Sequence, residues 1–161
     1  MEDFLASGKA KAIGVSNYCP SCFACLAQAS VQPMVNQLQY HVGMGPDPHG
    51  AVSFCKQHGC VVQAYGSLGN PPLDPRDPGP SKEILHGNLT SSIARNHNVS
   101  TVQVALKWIV SQGIPAVTKS GNPAHLAEDL DLWSWDLTPQ EKQALDEHNI
   151  PRGSPSFACS S

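Results

Sequence analysis

The chain has 161 residues, of which 40% are apolar and 14% charged, and it carries a formal net charge of -3. This is enough chain for one substantial core with a globular composition, which argues against disorder and gives no reason to expect a second large domain. The small negative balance argues against nucleic acid or an anionic membrane surface as a partner, and no run approaches the roughly 20 consecutive apolar residues of a membrane span.

Taken from the N-terminus, Met1 to Gly8 lacks the basic-then-apolar layout of a secretory signal, so the chain is expected to be cytoplasmic. A first strand is expected over residues 12–16. Cys19, Cys22 and Cys25 follow at intervals of three. That spacing can converge thiolates on zinc or an iron–sulfur cluster, but it is also one face of a helix, expected here over 22–29, on which thiols pack as small apolar groups. Ala29 stands where a fourth local ligand would fall, so helix packing is the favoured reading and no metal site is assigned.

A second strand is expected over 34–39, a helix over 51–58 stopped by Gly59, and a third strand over 60–65. The proline-rich stretch 69–81 reads as neither helix nor central strand, and a loop of that length is usually functional. Beyond it come a helix over 102–111 stopped by Gly113 and a fourth strand over 114–119. A helix over 123–130 follows, with Asn122 as cap and Pro123 in its first position. The last helix begins after Thr138, where Thr138 and Glu141 have capping-box spacing. Residues 1–150 are expected to form one domain, and 151–161 a small, polar, flexible tail. Strand alternating with helix predicts an α/β fold with a parallel sheet and right-handed crossovers.

Each expected strand ends in polar residues that core packing does not need. The first ends in Ser16 and Asn17, the second carries Gln37, Gln39, Tyr40 and His41, the third ends in Tyr65, and the fourth in Lys119 and Ser120. Any one of these fits a turn, a packed rim or a solvated surface. Four together point to a ligand site, because the carboxyl ends of parallel strands share one open face. Lys119 and Ser120 stand just before a helix start, where free N–H groups and the helix dipole favour a phosphate.

Four segments resemble the aldo-keto reductase family in consecutive order: Lys11-Ala-Ile-Gly-Val-Ser-Asn-Tyr18, Val35-Asn-Gln-Leu-Gln-Tyr-His41, Val62-Gln-Ala-Tyr-Gly-Ser-Leu-Gly69, and Val117-Thr-Lys-Ser120 through Asp129. The resemblance implies the C-terminal half of a (β/α)8 TIM barrel, about four βα units equivalent to strands five to eight. It also implies an oxidoreductase that binds NADPH and reduces an aldehyde or ketone to an alcohol. By the same resemblance Ser16, Asn17 and Gln37 hydrogen-bond the nicotinamide carboxamide and Tyr65 stacks on its ring. Leu68 and Asn70 lie along the pyrophosphate, Lys119 and Ser120 hold the 2′-phosphate, and Glu128 and Asp129 lie near the adenine.

The chain departs from that pattern at Gly66-Ser67 in place of Ser-Pro, at Thr118 in place of proline, and at Asp129 in place of asparagine. His125 stands where the family has the arginine that pairs with the 2′-phosphate. A hydrogen bond to a charged group is worth roughly 1.5–3 kcal/mol, so a neutral histidine there weakens NADPH by about 10–150-fold and leaves NADH open as an alternative. The family's catalytic tyrosine, lysine, aspartate and histidine belong to the first half of the barrel, and no catalytic residue is assigned here. Met1 falls at an internal position of the family's preceding helix, so the chain is expected to be a fragment of a longer protein and inactive by itself. The partners implied are a small-molecule carbonyl substrate for the complete enzyme, and a second copy or a complementing half-barrel to cover the open edges. The alternative is a half-barrel that binds a nucleotide or protein partner without chemistry, as a homodimer.

Overall fold

The computed structural model describes residues 1–69 and 79–150. Its centre is a parallel sheet in the order β1 (Gly14–Ser16), β2 (Val35–Gln39), β3 (Val61–Tyr65). The register is continuous across the sheet: Ser16 lies opposite Gln37 and Gln37 opposite Gln63, with Gln39 opposite Tyr65 one row on. Because side chains alternate faces along a strand, Asn36, Leu38, Val62 and Ala64 point one way and are buried. Ser16, Gln37, Gln63 and Tyr65 share the other face, which is more open. Gly14 permits the β1–β2 approach, since a Cβ there would overlap the Val35 carbonyl.

The expected fourth strand is reduced to a single parallel bridge. The Ala64 N–H donates to Pro115 O and the Val117 N–H to Ala64 O, each at 2.8 Å. Pro115 has no N–H to extend the ladder, and Val117, Thr118 and Lys119 are exposed.

Most of the helices contribute residues to the core on the buried face, but the first, Glu2–Ala6, and the helix Pro123–Leu130 bury none. α1 is Glu2–Ala6 and α2 is Ala51–Gln57, whose Ala51 and Cys55 enter the core one turn apart. Asp47 supplies the acceptor for the start of α2, taking the Val52 and Ser53 N–H groups at 2.8 and 3.1 Å. Between β1 and β2 the expected α-helix is instead a 3-10 helix, Pro20–Leu26, with no buried residue. Its short run of small residues presents only Pro20, Cys22, Phe23 and Leu26 as partly buried, too little apolar surface to favour a longer α-helix.

α3 (Gly79–His86) and α4 (Asn88–His97) are helices that the sequence reading did not anticipate. Of the stretch 69–81 expected to be irregular, 70–78 lie outside the described residues, and 79–81 form the first turn of α3 with Pro80 at a tolerated early position. α5 (Thr101–Ser111) is the central helix, buried continuously from Gln103 to Ile109. Its Trp108 ring stacks on Tyr40 with centroids 5.1 Å apart. α6 is Pro123–Leu130 and α7 is Pro139–Glu147, and both begin as expected: Asn122 caps α6, and Thr138 with Glu141 forms a complete capping box.

Two buried polar side chains of α5 hold the segment that leaves α6. Gln103 Nε2 donates to Asp131 O at 3.0 Å, and Lys107 Nζ donates to Leu132 O at 2.7 Å while pairing with Asp136. Trp133 and Trp135 lie within cation–π reach of the same ammonium. At the other end of the core, Asp146 of α7 accepts from Trp108 Nε1 at 2.8 Å and Gln112 Nε2 at 2.9 Å, which fixes α7 against α5.

Candidate functional site

Asn17 organises the carboxyl ends of the strands. It leaves β1 in the left-handed region at φ 57°, which asparagine tolerates better than most residues. Its backbone N–H donates to Gln37 O at 2.9 Å, its Oδ1 accepts the Gln39 N–H at 3.2 Å, and its Nδ2 donates to the Tyr65 hydroxyl at 2.9 Å. One asparagine thereby ties the ends of β1, β2 and β3 together. It retains one amide N–H and further acceptor capacity on Oδ1.

Ser16 Oγ donates to Gln37 O at 3.0 Å, and Gln37 Nε2 donates to Gln63 Oε1 at 2.7 Å. Ser16, Gln37 and Gln63 therefore form a row across the open face, with Tyr65 beside it. Gln63 was absent from the residues singled out in the sequence; its signal is the period-two alternation with Tyr65 on β3. Asn36 was also missed. From the opposite face it receives the Tyr18 N–H on Oδ1 and donates to Tyr18 O, bracing the turn that carries Asn17.

Tyr40 and His41 were grouped with the strand-end polar residues, but both are fully buried and belong to the core. The Tyr40 hydroxyl donates to Pro46 O at 3.0 Å, and burial raises its pKa well above the usual phenol range. His41 Nδ1 lies 2.8 Å from Val42 O and must donate there, which leaves Nε2 to accept from Gln39 Nε2 at 3.3 Å. Burial lowers the His41 pKa and keeps the ring neutral. Gln39 is likewise buried.

A second group forms where residues 117–122 meet α6. The bridge sets Ala116 beside Ala64, and Lys119 follows three residues later outside any strand. Lys119 is exposed and has no ion pair among the described residues. Ser120 Oγ accepts the Asn122 N–H at 3.1 Å, and Asn122 Oδ1 accepts the Ala124 N–H at 3.0 Å. His125 is exposed in the first turn of α6. Asp129 is partly buried and accepts from Thr118 Oγ1 at 3.4 Å, while exposed Glu128 borders a cleft of about 440 Å³ with Asn98, Ser100, Gln103 and Asp131.

Leu68 is partly buried against the core in the turn after β3, and Gly69 at φ 77° closes that turn so tightly that a Cβ would meet Ser81 N. Ser67 Oγ in the same turn is buried without a hydrogen-bond partner among the described residues, a polar atom suited to an incoming donor or acceptor. Asn70 lies outside the described residues. Among the described residues no group of three or more His, Cys, Asp or Glu is arranged to hold a metal ion.

The sequence matches the model of the Aldo/keto reductase family over residues 1–150. The chain belongs to the aldo/keto reductase family. It is 32% identical over 92% of its length to a 9,11-endoperoxide prostaglandin H2 reductase of Trypanosoma cruzi, covering 50% of that protein. It is 31% identical over 91% of its length to an NADPH-dependent alpha-keto amide reductase of Saccharomyces cerevisiae, covering 46% of it. Among solved structures, an aldo-keto reductase from a Medee basin deep-sea metagenome superposes with a TM-score of 0.78 at 26% identity, over 92% of this chain and 51% of that one. This aldo/keto reductase chain thus spans about half the length of the relatives it matches. Parallel strands with helices on the buried face agree with that family's α/β architecture. No helix among the described residues is long and apolar enough to cross a membrane.

Proposed function

We propose that this chain forms the cofactor-holding part of a carbonyl reductase, with NADPH as the nucleotide, and that the 161 residues alone bind the cofactor without turning over substrate. The observation that carries the reading is the hydrogen bond from Asn17 to the Tyr65 hydroxyl at 2.9 Å. It holds a flat aromatic ring and an amide with spare valences together at the carboxyl ends of parallel strands, and a nicotinamide offers a flat ring bearing a carboxamide.

In this reading the remaining amide valences of Asn17 and Gln37, with the Ser16 hydroxyl, meet the carboxamide, and Tyr65 lies against the ring. Leu68 and Asn70 flank the pyrophosphate, and the buried Ser67 hydroxyl beside Leu68 has no partner among the described residues. The Ser120 hydroxyl and two N–H groups before and within the first turn of α6 are already engaged in capping. The 2′-phosphate therefore depends on the Lys119 ammonium and on His125, with Glu128 and Asp129 toward the adenine. When bound, the reduced nicotinamide supplies a hydride.

The proton for a carbonyl oxygen must come from a positioned acid. Tyr40 is unsuited, because its hydroxyl is committed to Pro46 O and burial raises its pKa. Tyr65 is occupied as the partner of Asn17, and Tyr18 belongs to the turn braced by Asn36. In this reading the acid comes from the part of the relatives' length that this chain does not cover, as does much of the surface that selects a substrate. Binding without chemistry by a homodimeric half-barrel is the second reading, favoured by the open sheet face.

The test is a fluorescence titration of the chain with NADPH and with NADH, followed by incubation with a simple aldehyde. Saturable binding without NADPH oxidation is expected. His125→Arg should tighten NADPH by about 10–150-fold and leave NADH unchanged. A folded chain that binds neither nucleotide overturns the cofactor assignment, and turnover by the chain alone overturns the absence of an acid.

A further inference from the structure

Cys19 and Cys22 bracket the turn that opens the 3-10 helix Pro20–Leu26. Their Sγ atoms are 3.1 Å apart, and the Cys22 N–H donates to Cys19 O at 2.8 Å, closing an i to i+3 turn. A turn of that kind keeps its end Cα atoms within about 7 Å, and disulfides span Cα separations of about 4.4–6.8 Å. The S–S bond itself is about 2.0 Å, so closure needs an approach of about 1 Å, within the reach of side-chain rotation.

Accessibility separates this pair from the other cysteines among the described residues. Cys19 is buried at 2% exposure and Cys22 is partly exposed, which gives an external reagent one reachable sulfur and a second sulfur behind it. Cys25 is exposed, but its thiol donates to Cys22 O at 3.0 Å. Cys55 and Cys60 are both buried in the core, where burial and the neighbouring Cys55 push Cys60 up to about 12. The hydrogen bond with Cys19 leads the effects that raise Cys22, so the attacking thiolate forms more readily as pH rises.

We propose that Cys19 and Cys22 form a redox-active dithiol that is converted to an intramolecular disulfide by small-molecule disulfides. The Cys22 thiolate attacks one sulfur of a glutathione-type disulfide, forming a mixed disulfide and releasing one thiolate. Cys19, deprotonated, then attacks Cys22 Sγ, forming the Cys19–Cys22 bond and expelling the second thiolate. The two protein thiols lose two electrons and two protons, and the reagent is reduced to two thiols. The product fixes the turn that begins two residues after Asn17. This assignment does not depend on the nucleotide reading.

The experiment equilibrates the chain with oxidised glutathione at mildly alkaline pH, blocks remaining thiols by alkylation, and maps disulfides by peptide mass spectrometry. A Cys19–Cys22 link is expected, with the intact mass lowered by two hydrogens and Cys25 still alkylated. Cys19→Ser should instead retain a glutathione adduct on Cys22, and Cys25→Ser should form the Cys19–Cys22 link as the unaltered chain does. A Cys22–Cys25 link as the main product, a persistent adduct on Cys22 in the unaltered chain, or two alkylated thiols at Cys19 and Cys22 would overturn the proposal. The map of the unaltered chain decides the matter even if Cys19→Ser does not fold.

Discussion

At the scale of single residues, Asn17 combines a left-handed backbone at φ 57° with side-chain hydrogen bonds to two other strands. Asn17→Ala removes both bonds and places a side chain that cannot bond locally in that conformation, so a loss of about 2–4 kcal/mol is expected in urea unfolding. Asn17→Gly also removes the bonds but relaxes the backbone, and it should be less destabilising than alanine by about 1 kcal/mol. Equal losses for the two variants would show that the left-handed conformation costs nothing here. Asn17 was visible in the sequence as a polar residue closing a strand, whereas its contact with Tyr65 spans 48 positions and depends on a register that local pattern does not contain. Tyr40 and His41 misled for the matching reason. They look like a polar strand end, but Tyr40 finds Trp108 and Pro46 O, and His41 finds Val42 O and Gln39.

Among the elements, those with explicit start or stop chemistry were legible. Thr138 and Glu141 mark α7, Asn122 and Pro123 mark α6, and Gly113 follows α5. α4 was not legible, because Gly87 at its start makes no side-chain cap and its sequence is mostly polar, with Leu89, Ile93 and Ala94 as its apolar contacts. Tertiary packing on α5 makes it a helix. α7 also reaches α4: Glu141 accepts from His97 Nε2 at 2.8 Å while its other contacts complete the Thr138 capping box. Burial by itself would raise the Glu141 carboxyl, but the hydrogen bonds from His97 and from the Thr138 N–H and hydroxyl outweigh it and hold the pKa to about 2, against an ordinary 4.5. A folded-state value below the unfolded one stabilises above about pH 4.5, and that contribution is lost as pH falls toward about 2. Glu141→Gln should therefore cost about 1–2 kcal/mol at neutral pH, and the difference from the unaltered chain should close over that acid window in urea titrations. The Asp146 contribution is common to both proteins and cancels in the difference. A gap that stays constant with pH would remove Glu141 ionisation from the account.

For the molecule as a whole, the sheet is well covered on one face and poorly enclosed on the other. β1 pairs only with β2 among the described residues, and residues 114–117 add a single bridge beyond β3. Val61 is 52% exposed, Val117 46% and Trp133 75%, so apolar surface and strand edges face solvent together. Much of the apolar stabilisation in the described core comes instead from α5 and the strand face against it, where Leu38, Ala64, Val104, Trp108 and Ile109 are fully buried. The proposed nucleotide contacts lie on the less enclosed side and join the three strand ends to α6, elements with few direct contacts of their own. Ligand binding should then stabilise the chain by linkage, about 2.7 kcal/mol at 100 times Kd, or roughly 5–10 °C in Tm for a chain of this length. Differential scanning fluorimetry with NADPH checks it. A cooperative transition that does not move with NADPH would show a folded chain without nucleotide affinity and would count against the cofactor assignment.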